Sequence, residues 1–260
     1  MAYININYES KILGMPVMMN ALIPQGRGDY QSLYLLHGAG GDYTTWLAKS
    51  KVAEYVENTN IAVIMISGNN KCFVNNVHGK KYFQFLTEEV TETCTKWFGL
   101  SSKREDRYIA GMSMGGYGAV YAGLNRPDLY NSVFSYSGLL DVKLRYENPQ
   151  GFNMYQIFGN REEFEKGNYD LLDCVKEDNA GRNVDNYPKF YIRCGLQDSI
   201  IDMSRRWHDA AEESGFTSDY YETAGGHDFI FWDKCIHETV EIITGKSYRM
   251  EDIYGNNNEC

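Results

Sequence analysis

Ser113 stands in "YIAGMSMGGYG", Tyr108 to Gly118, with Gly111 and Gly115 placing it in a G-x-S-x-G pattern. An apolar run precedes the serine and the small residues "GGYGAV" follow it. Strand, serine, helix is the context in which a sharp turn pushes a hydroxyl out at the carboxyl end of a sheet, where open α/β folds bind ligands. The alternative use of the same serine is to cap the following helix with its oxygen. A serine hydroxyl barely ionises at neutral pH, so attack on a carbonyl needs a base within hydrogen-bond reach and a carboxylate to orient that base.

Three histidines follow: His208, His227 and His237. His208 and His237 fall in stretches of helical periodicity, where packing or solvation is the ordinary role. His227 lies in "AGGHDF", a glycine-rich loop between an expected strand and an expected helix, and is the candidate base. The acid should follow the preceding strand, where "YIRCGLQD" supplies Asp198. Asp202 is the rival, and it reads better as the cap of the next helix.

Attack creates an oxyanion, which needs preorganised donors. "LYLLHGAGGD" places a glycine-rich loop straight after a strand, leaving backbone N–H groups free to point inward. Ala39 N–H is the first choice and Gly40 the next, with Met114 N–H, after the nucleophile, as the second donor. His37 reads as a loop-shaping residue. The loop does not suit a nucleotide, because it lacks the third glycine of G-x-G-x-x-G and the G-K-[ST] of a P-loop.

The elements that position these residues follow from the hydropathy pattern. "AYININYES" and "VMMNALIP" alternate around "KILGMP" and predict an antiparallel hairpin. "SLYLLHG" and "IAVIMISG" are continuous apolar runs, as in strands buried on both faces of a mainly parallel sheet. Between them, Tyr43 to Glu57 carries Trp46, Leu47, Val52, Ala53 and Val56 at helical spacing. Further on, Tyr82 to Phe98 predicts a helix, "RYIAG" a strand, Met114 to Asn125 a helix and "SVFSYSG" a strand. Leu139 to about Asn186 is polar and aromatic with no clear sheet signal, and reads as an insertion or small cap. Then come strand "PKFYIRCG", helix Asp202 to Ser214, strand "TSDYYETAG" and helix Phe229 to Ile243. Alternating strands and helices imply α/β architecture, a parallel sheet with right-handed crossovers and helices on both faces.

The chain of 260 residues suits one domain, 1–260, with one core. A formal net charge of −10 repels a phosphate backbone, so nucleic acid is not an expected partner. The longest apolar run, Ile61 to Ile66, is too short to span a bilayer. "MAYININYES" is not a secretory signal, which points to a cytoplasmic protein with no membrane partner. Six scattered cysteines, at 72, 94, 174, 194, 235 and 260, argue against a disulfide scaffold or a zinc cage and for reduced core thiols. Trp46, Phe73, Phe152, Tyr155, Phe158 and Trp232 lie in segments that could face a site, although core packing is the simpler account of any one of them.

"YLLHGAGGDYTTW", "IAGMSMGGYGA", "CGLQD" and "GGHDFIFW" resemble, in order and spacing, the esterase D branch of α/β-hydrolases, most closely the bacterial tributyrin esterases. The resemblance runs from the N-terminal hairpin to the last helix and is poor over 139–186. It implies an α/β-hydrolase fold and a serine carboxylesterase preferring short acyl chains, without metal or organic cofactor. The family nucleophile falls on Ser113, the acid on Asp198, the base on His227 and the oxyanion donors on Ala39 and Met114. Related members include S-formylglutathione hydrolases, acetyl xylan esterases and feruloyl esterases, so a small-molecule ester, an acylated sugar among them, is the expected partner. Many relatives carry a Trp- or Tyr-Thr-Asp stretch after the second parallel strand, where this chain has "NNKCFVNNVHGKKYF", a departure at the pocket rim. The rivals are a thioesterase with the same triad and, remotely, a binding protein that keeps the fold without its chemistry. Exposed edges of such sheets often pair, which leaves a homo-oligomer open.

Overall fold

The computed structural model describes residues 1–26, 28–147, 152–176, 183–246 and 248–255. Among the described residues eight strands form one sheet: β1 (Ala2–Ser10), β2 (Met15–Ile23), β3 (Gln31–Leu36), β4 (Ile61–Ile66), β5 (Arg107–Met112), β6 (Ser132–Tyr136), β7 (Lys189–Gly195) and β8 (Ser218–Thr223). Their order is β1-β2-β4-β3-β5-β6-β7-β8. The β1–β2 and β2–β4 pairs are antiparallel, and every later pair is parallel. β1 lies at the edge and alternates half-buried with exposed residues, whereas the six residues of β4 are all buried. The two hydropathy patterns in the sequence thus mark an edge strand and a central one.

Side chains of successive strand residues point to opposite faces, and each face has its own core. Leu33 and Leu35 of β3 join one cluster with α1 (Thr45–Lys49), α2 (Val52–Tyr55), α11 (Phe229–Thr244) and α12 (Met250–Tyr254). Tyr34 and Leu36 join the other. That second face carries α3 (Tyr82–Gln84), which runs through a π-helical turn (Phe85–Val90) into α4 (Thr91–Phe98), then α5 (Met114–Asn125) and α10 (Ile201–Glu213). This is an α/β-hydrolase fold, a mostly parallel sheet with an antiparallel N-terminal hairpin and helices on both faces.

The expected helix from Tyr43 to Glu57 is two helices. Ser50 is extended (φ −133, ψ 168), and its hydroxyl donates to Trp46 O at 2.7 Å. Lys51 N–H then donates to Asp233 Oδ1 of α11 at 2.7 Å, so a tertiary contact takes over a bond that a continuous helix would have kept for itself. The last helix, α12, carries no signal recognised in the sequence.

The described part of 139–186 holds four short helices, α6 (Val142–Glu147), α7 (Met154–Phe158), α8 (Arg161–Lys166) and α9 (Leu171–Lys176), and a 3-10 turn at Val184–Asn186. Residues 148–151 and 177–182 of that segment, and Cys260, lie outside the described residues. The segment packs on the α5 side: Tyr117 OH donates to Tyr169 O at 2.8 Å, and Arg206 of α10 pairs with Asp141 at 3.0 Å. Cys72, Cys94, Cys174, Cys194 and Cys235 are buried thiols. Burial pushes Cys72, Cys94 and Cys194 up to about 12, so they offer no thiolate at neutral pH.

Candidate active site

β5 ends at Met112 and α5 begins at Met114, so Ser113 alone turns the chain. Its backbone sits at φ 54, ψ −117, a conformation that costs an L-residue strain and persists only where the surroundings impose it. Ser113 N–H donates to Tyr136 O of β6 at 2.8 Å, and Ser113 O accepts from Tyr117 N–H and Leu139 N–H at 3.1 Å each. The flanking glycines are required by close approach. A β-carbon on Gly111 would stand 2.3 Å from Gly115 O, and one on Gly115 would stand 2.6 Å from the carbonyl oxygens of Leu36 and His37. The Ser113 side chain makes no cap hydrogen bond to α5, which removes the capping alternative.

The hydroxyl instead faces His227, with Oγ 3.0 Å from Nε2. His227 Nδ1 lies 2.8 Å from Asp198 Oδ2. A carboxylate only accepts, so Nδ1 carries the proton there and Nε2 is left to accept from Ser113. Asp198 follows β7 and its side chain is fully buried. Burial opposes its ionisation. Hydrogen bonds from His227, the Ser137 hydroxyl and Ile200 N–H outweigh that and hold the carboxyl below its usual range. His227 is delivered by a helix start: Asp228 caps α11, its carboxylate accepting from Ile230 and Phe231 N–H.

Asp202 takes no part. It lies in the first turn of α10 as an exposed partner of Arg205 at 3.2 Å, and it makes no cap, contrary to its expected role; the cap position is Ile200, with no side-chain bond. His208 binds Ser218 Oγ at 2.8 Å, and His237 stacks on Tyr55 with ring centroids 4.4 Å apart.

The loop after β3 runs beside the serine, and a β-carbon on Gly38 would be 3.4 Å from Ser113 Cβ. His37 Nδ1 donates to Gly38 O at 2.7 Å while Nε2 accepts from Gly68 N–H at 2.8 Å, which fixes the ring's tautomer and makes it the loop-shaping residue expected. Burial pushes His37 below its ordinary value and keeps it neutral. Gly40, the second choice of donor, lines the cleft, and its N–H is engaged by Asn70 Oδ1 at 2.7 Å. Among the described residues neither Ala39 N–H nor Met114 N–H meets an acceptor.

Ser113 and His227 open into a cleft of about 480 Å³ walled by Ala39, Met112, Phe229 and Trp232, with Lys49 at its margin. Trp232 meets the His227 ring edge-on at 5.0 Å, and its Nε1 donates to Ser137 Oγ at 3.1 Å. Of the aromatics singled out in the sequence, Trp232 alone lines this cleft among the described residues. Trp46, Phe73 and Phe158 are core, Phe152 is half-buried, and Tyr155 is exposed and stacks on His78. No described residue of 139–186 lines it. Sequence reasoning missed Ser137, Asn70 and Gln197. Gln197 N–H donates to Gly225 O at 2.9 Å and its Oε1 accepts from Gly225 N–H at 2.8 Å, tying the acid loop to the histidine loop.

A hydroxyl on a strained turn, a ring nitrogen within reach of it, a buried carboxylate behind that ring and two unengaged N–H groups nearby are the parts acyl transfer requires. The family model named Esterase, described as "Putative esterase", matches residues 10–241, and the chain belongs to that family. It is a serine ester hydrolase. The chain is similar to an acetyl esterase of Caldicellulosiruptor saccharolyticus, 29% identical over 93% of this chain and 97% of that protein. Among solved structures it is similar to the fluorophosphonate-binding serine hydrolase FphF of Staphylococcus aureus, with a TM-score of 0.82 and 25% identity over 93% of this chain and 98% of that one. It is also similar to the S-formylglutathione hydrolase FrmB of Staphylococcus aureus, with a TM-score of 0.79 and 27% identity over 93% and 98% of the two chains. Among the described residues no helix is long and apolar enough to cross a membrane.

Proposed function

We propose that the chain hydrolyses short-chain acyl esters through an acyl-enzyme on Ser113. His227 takes the hydroxyl proton as Ser113 attacks and returns it to the leaving alcohol; Asp198 holds the ring and favours the imidazolium that forms. Ala39 and Met114 N–H groups receive the oxyanion. Water then attacks the acyl group with His227 again as base. The observation that carries this reading is the relay itself, Ser113 Oγ to His227 Nε2 at 3.0 Å and His227 Nδ1 to Asp198 at 2.8 Å, with Ser113 and His227 lining the cleft.

The likeness to an acetyl esterase supports a short acyl group, as in the tributyrin esterases that the sequence resembles. Phe229 and Trp232 give the cleft an aromatic wall, which suits an acylated sugar. The likeness to FrmB supports a second reading, a thioester substrate such as S-formylglutathione. Five buried thiols suit a reducing compartment, and the cytoplasm is our reading of location. The test is a panel of p-nitrophenyl esters of increasing acyl length, with S-formylglutathione, acetylated xylooligosaccharides and feruloylated sugars. The reading predicts kcat/KM highest at two to four acyl carbons; a feruloyl or thioester optimum at least tenfold higher would replace it.

A further inference from the structure

The loop after β4 holds the 38–41 loop from two sides. Ala39 stands between two peptide groups. Gly38 O accepts from His37 Nδ1 at 2.7 Å and from Gly41 N–H at 3.2 Å. In a trans peptide the N–H points away from the preceding carbonyl, so anchoring Gly38 O aims Ala39 N–H. On the other side Gly40 N–H is fixed by Asn70 Oδ1 at 2.7 Å. Both anchors trace to the same loop, because His37 is itself held by Gly68 N–H.

That loop is strained. Asn69, Asn70, Cys72 and Phe73 have φ of 46, 54, 56 and 55, four non-glycine residues in the left-handed region within five positions. Such a backbone needs outside support. Phe73 is fully buried and packs edge-on against His37 at 5.3 Å, and a β-carbon on Gly68 would fall 2.5 Å from its ring. Asn69 Nδ2 donates to Tyr82 OH at 2.8 Å, and Lys71 Nζ donates to Gln156 Oε1 at 2.5 Å. Asparagine suits position 70 twice over: it tolerates the left-handed backbone, and its short side chain carries the carbonyl that Gly40 needs.

We propose that Asn70 is a positioning residue for the oxyanion site: by occupying the Gly40 N–H it fixes the 38–41 loop with Ala39 N–H turned to the cleft. This rests on the reading of Ala39 as an oxyanion donor. Asn70 is exposed and touches neither Ser113 nor His227, so its loss leaves the proton relay in place.

The test compares Asn70→Ala, Asn70→Gly and Asn70→Asp on p-nitrophenyl acetate. Glycine keeps the left-handed backbone without the carbonyl. Aspartate keeps an acceptor. The Ala and Gly variants should lose roughly 10- to 100-fold in kcat, in the range of a misplaced donor, with KM within about threefold and the acid limb of the pH profile unmoved. Their affinity for a trifluoromethyl ketone, whose adduct places an oxyanion in the site, should fall in parallel. Asn70→Asp should recover part of the kcat. Wild-type kcat in Asn70→Gly would overturn the proposal, as would a loss confined to KM or a shifted acid limb. Ser113→Ala tests the acyl-transfer reading beneath it: if that variant stays active, acyl transfer on Ser113 fails; if it is inactive while Asn70→Gly is normal, the serine reading stands and the positioning of Ala39 N–H by Asn70 fails.

Discussion

Gly195 and Gly225 meet backbone to backbone: a β-carbon on Gly195 would lie 2.1 Å from Gly225 O. Gly195 ends the strand that carries the acid and Gly225 begins the loop that carries the histidine, so this contact sets the spacing of Asp198 and His227. Gly195→Ala must push the two loops apart, since backbone cannot swing aside as a side chain would. A displacement of about 1 Å costs about 10²-fold in rate. The expected outcome is at least that loss in kcat/KM for p-nitrophenyl acetate, with near-UV circular dichroism still native. Retention of more than a third of the activity would show the loops to be independent.

The two aspartates near the end of β7 separate cleanly. Asp198→Asn should lower kcat by about 10⁴-fold, because an amide favours the wrong His227 tautomer. Asp202→Asn breaks only an exposed pair with Arg205 and should change stability by less than about 0.5 kcal/mol and activity little. The reverse pattern in kcat would reassign the acid.

His37 gives a pH signature in stability. Burial holds it neutral in the folded protein, below its ordinary value of 6.5, while the unfolded chain takes up a proton there. The unfolded state then binds more protons, so stability falls as pH drops below 6.5, by up to about 1.4 kcal/mol per pH unit until the folded group titrates. In His37→Gln, with an acceptor still facing Gly68, urea titrations should show a shallower fall between pH 6.5 and pH 5 than in the wild type. Parallel curves would exclude the buried neutral imidazole.

Arg193 of β7 is buried, with Nε and Nη2 each donating to Glu238 at 2.8 Å, and its carbonyl accepts from Ser137 N–H. Breaking one side of such a pair strands the other charge, so Arg193→Met should cost about 3–5 kcal/mol. Pairing it with Glu238→Gln should recover part of that loss in urea denaturation. Simple additivity would mean that the charges do not interact.

The strands were legible because burial on both faces leaves a continuous apolar run, and the candidate residues Ser113, Asp198 and His227 because strand, turn and loop punctuation marks the carboxyl end of the sheet. What escaped depends on contacts distant in sequence. The break at Ser50 is completed by Asp233 of α11, and nothing within 43–57 announces it. Asn70, Ser137 and Gln197 bond to loops far from them in sequence, and such hydrogen bonds have no periodicity to detect. Asp202 was expected to cap α10 because an acidic residue near a helix start usually does, but the helix starts at Ile201 and places it one position inside.

Acylation of Ser113 is the step on which the proposed hydrolysis depends. Wild-type protein treated with a fluorophosphonate probe should carry the adduct on the peptide containing Ser113, and Ser113→Ala should lose both the adduct and the hydrolysis of p-nitrophenyl acetate while unfolding at the wild-type temperature. A folded Ser113→Ala protein that still hydrolyses the ester at more than about one part in a thousand of the wild-type rate, or an adduct on another residue, would contradict it.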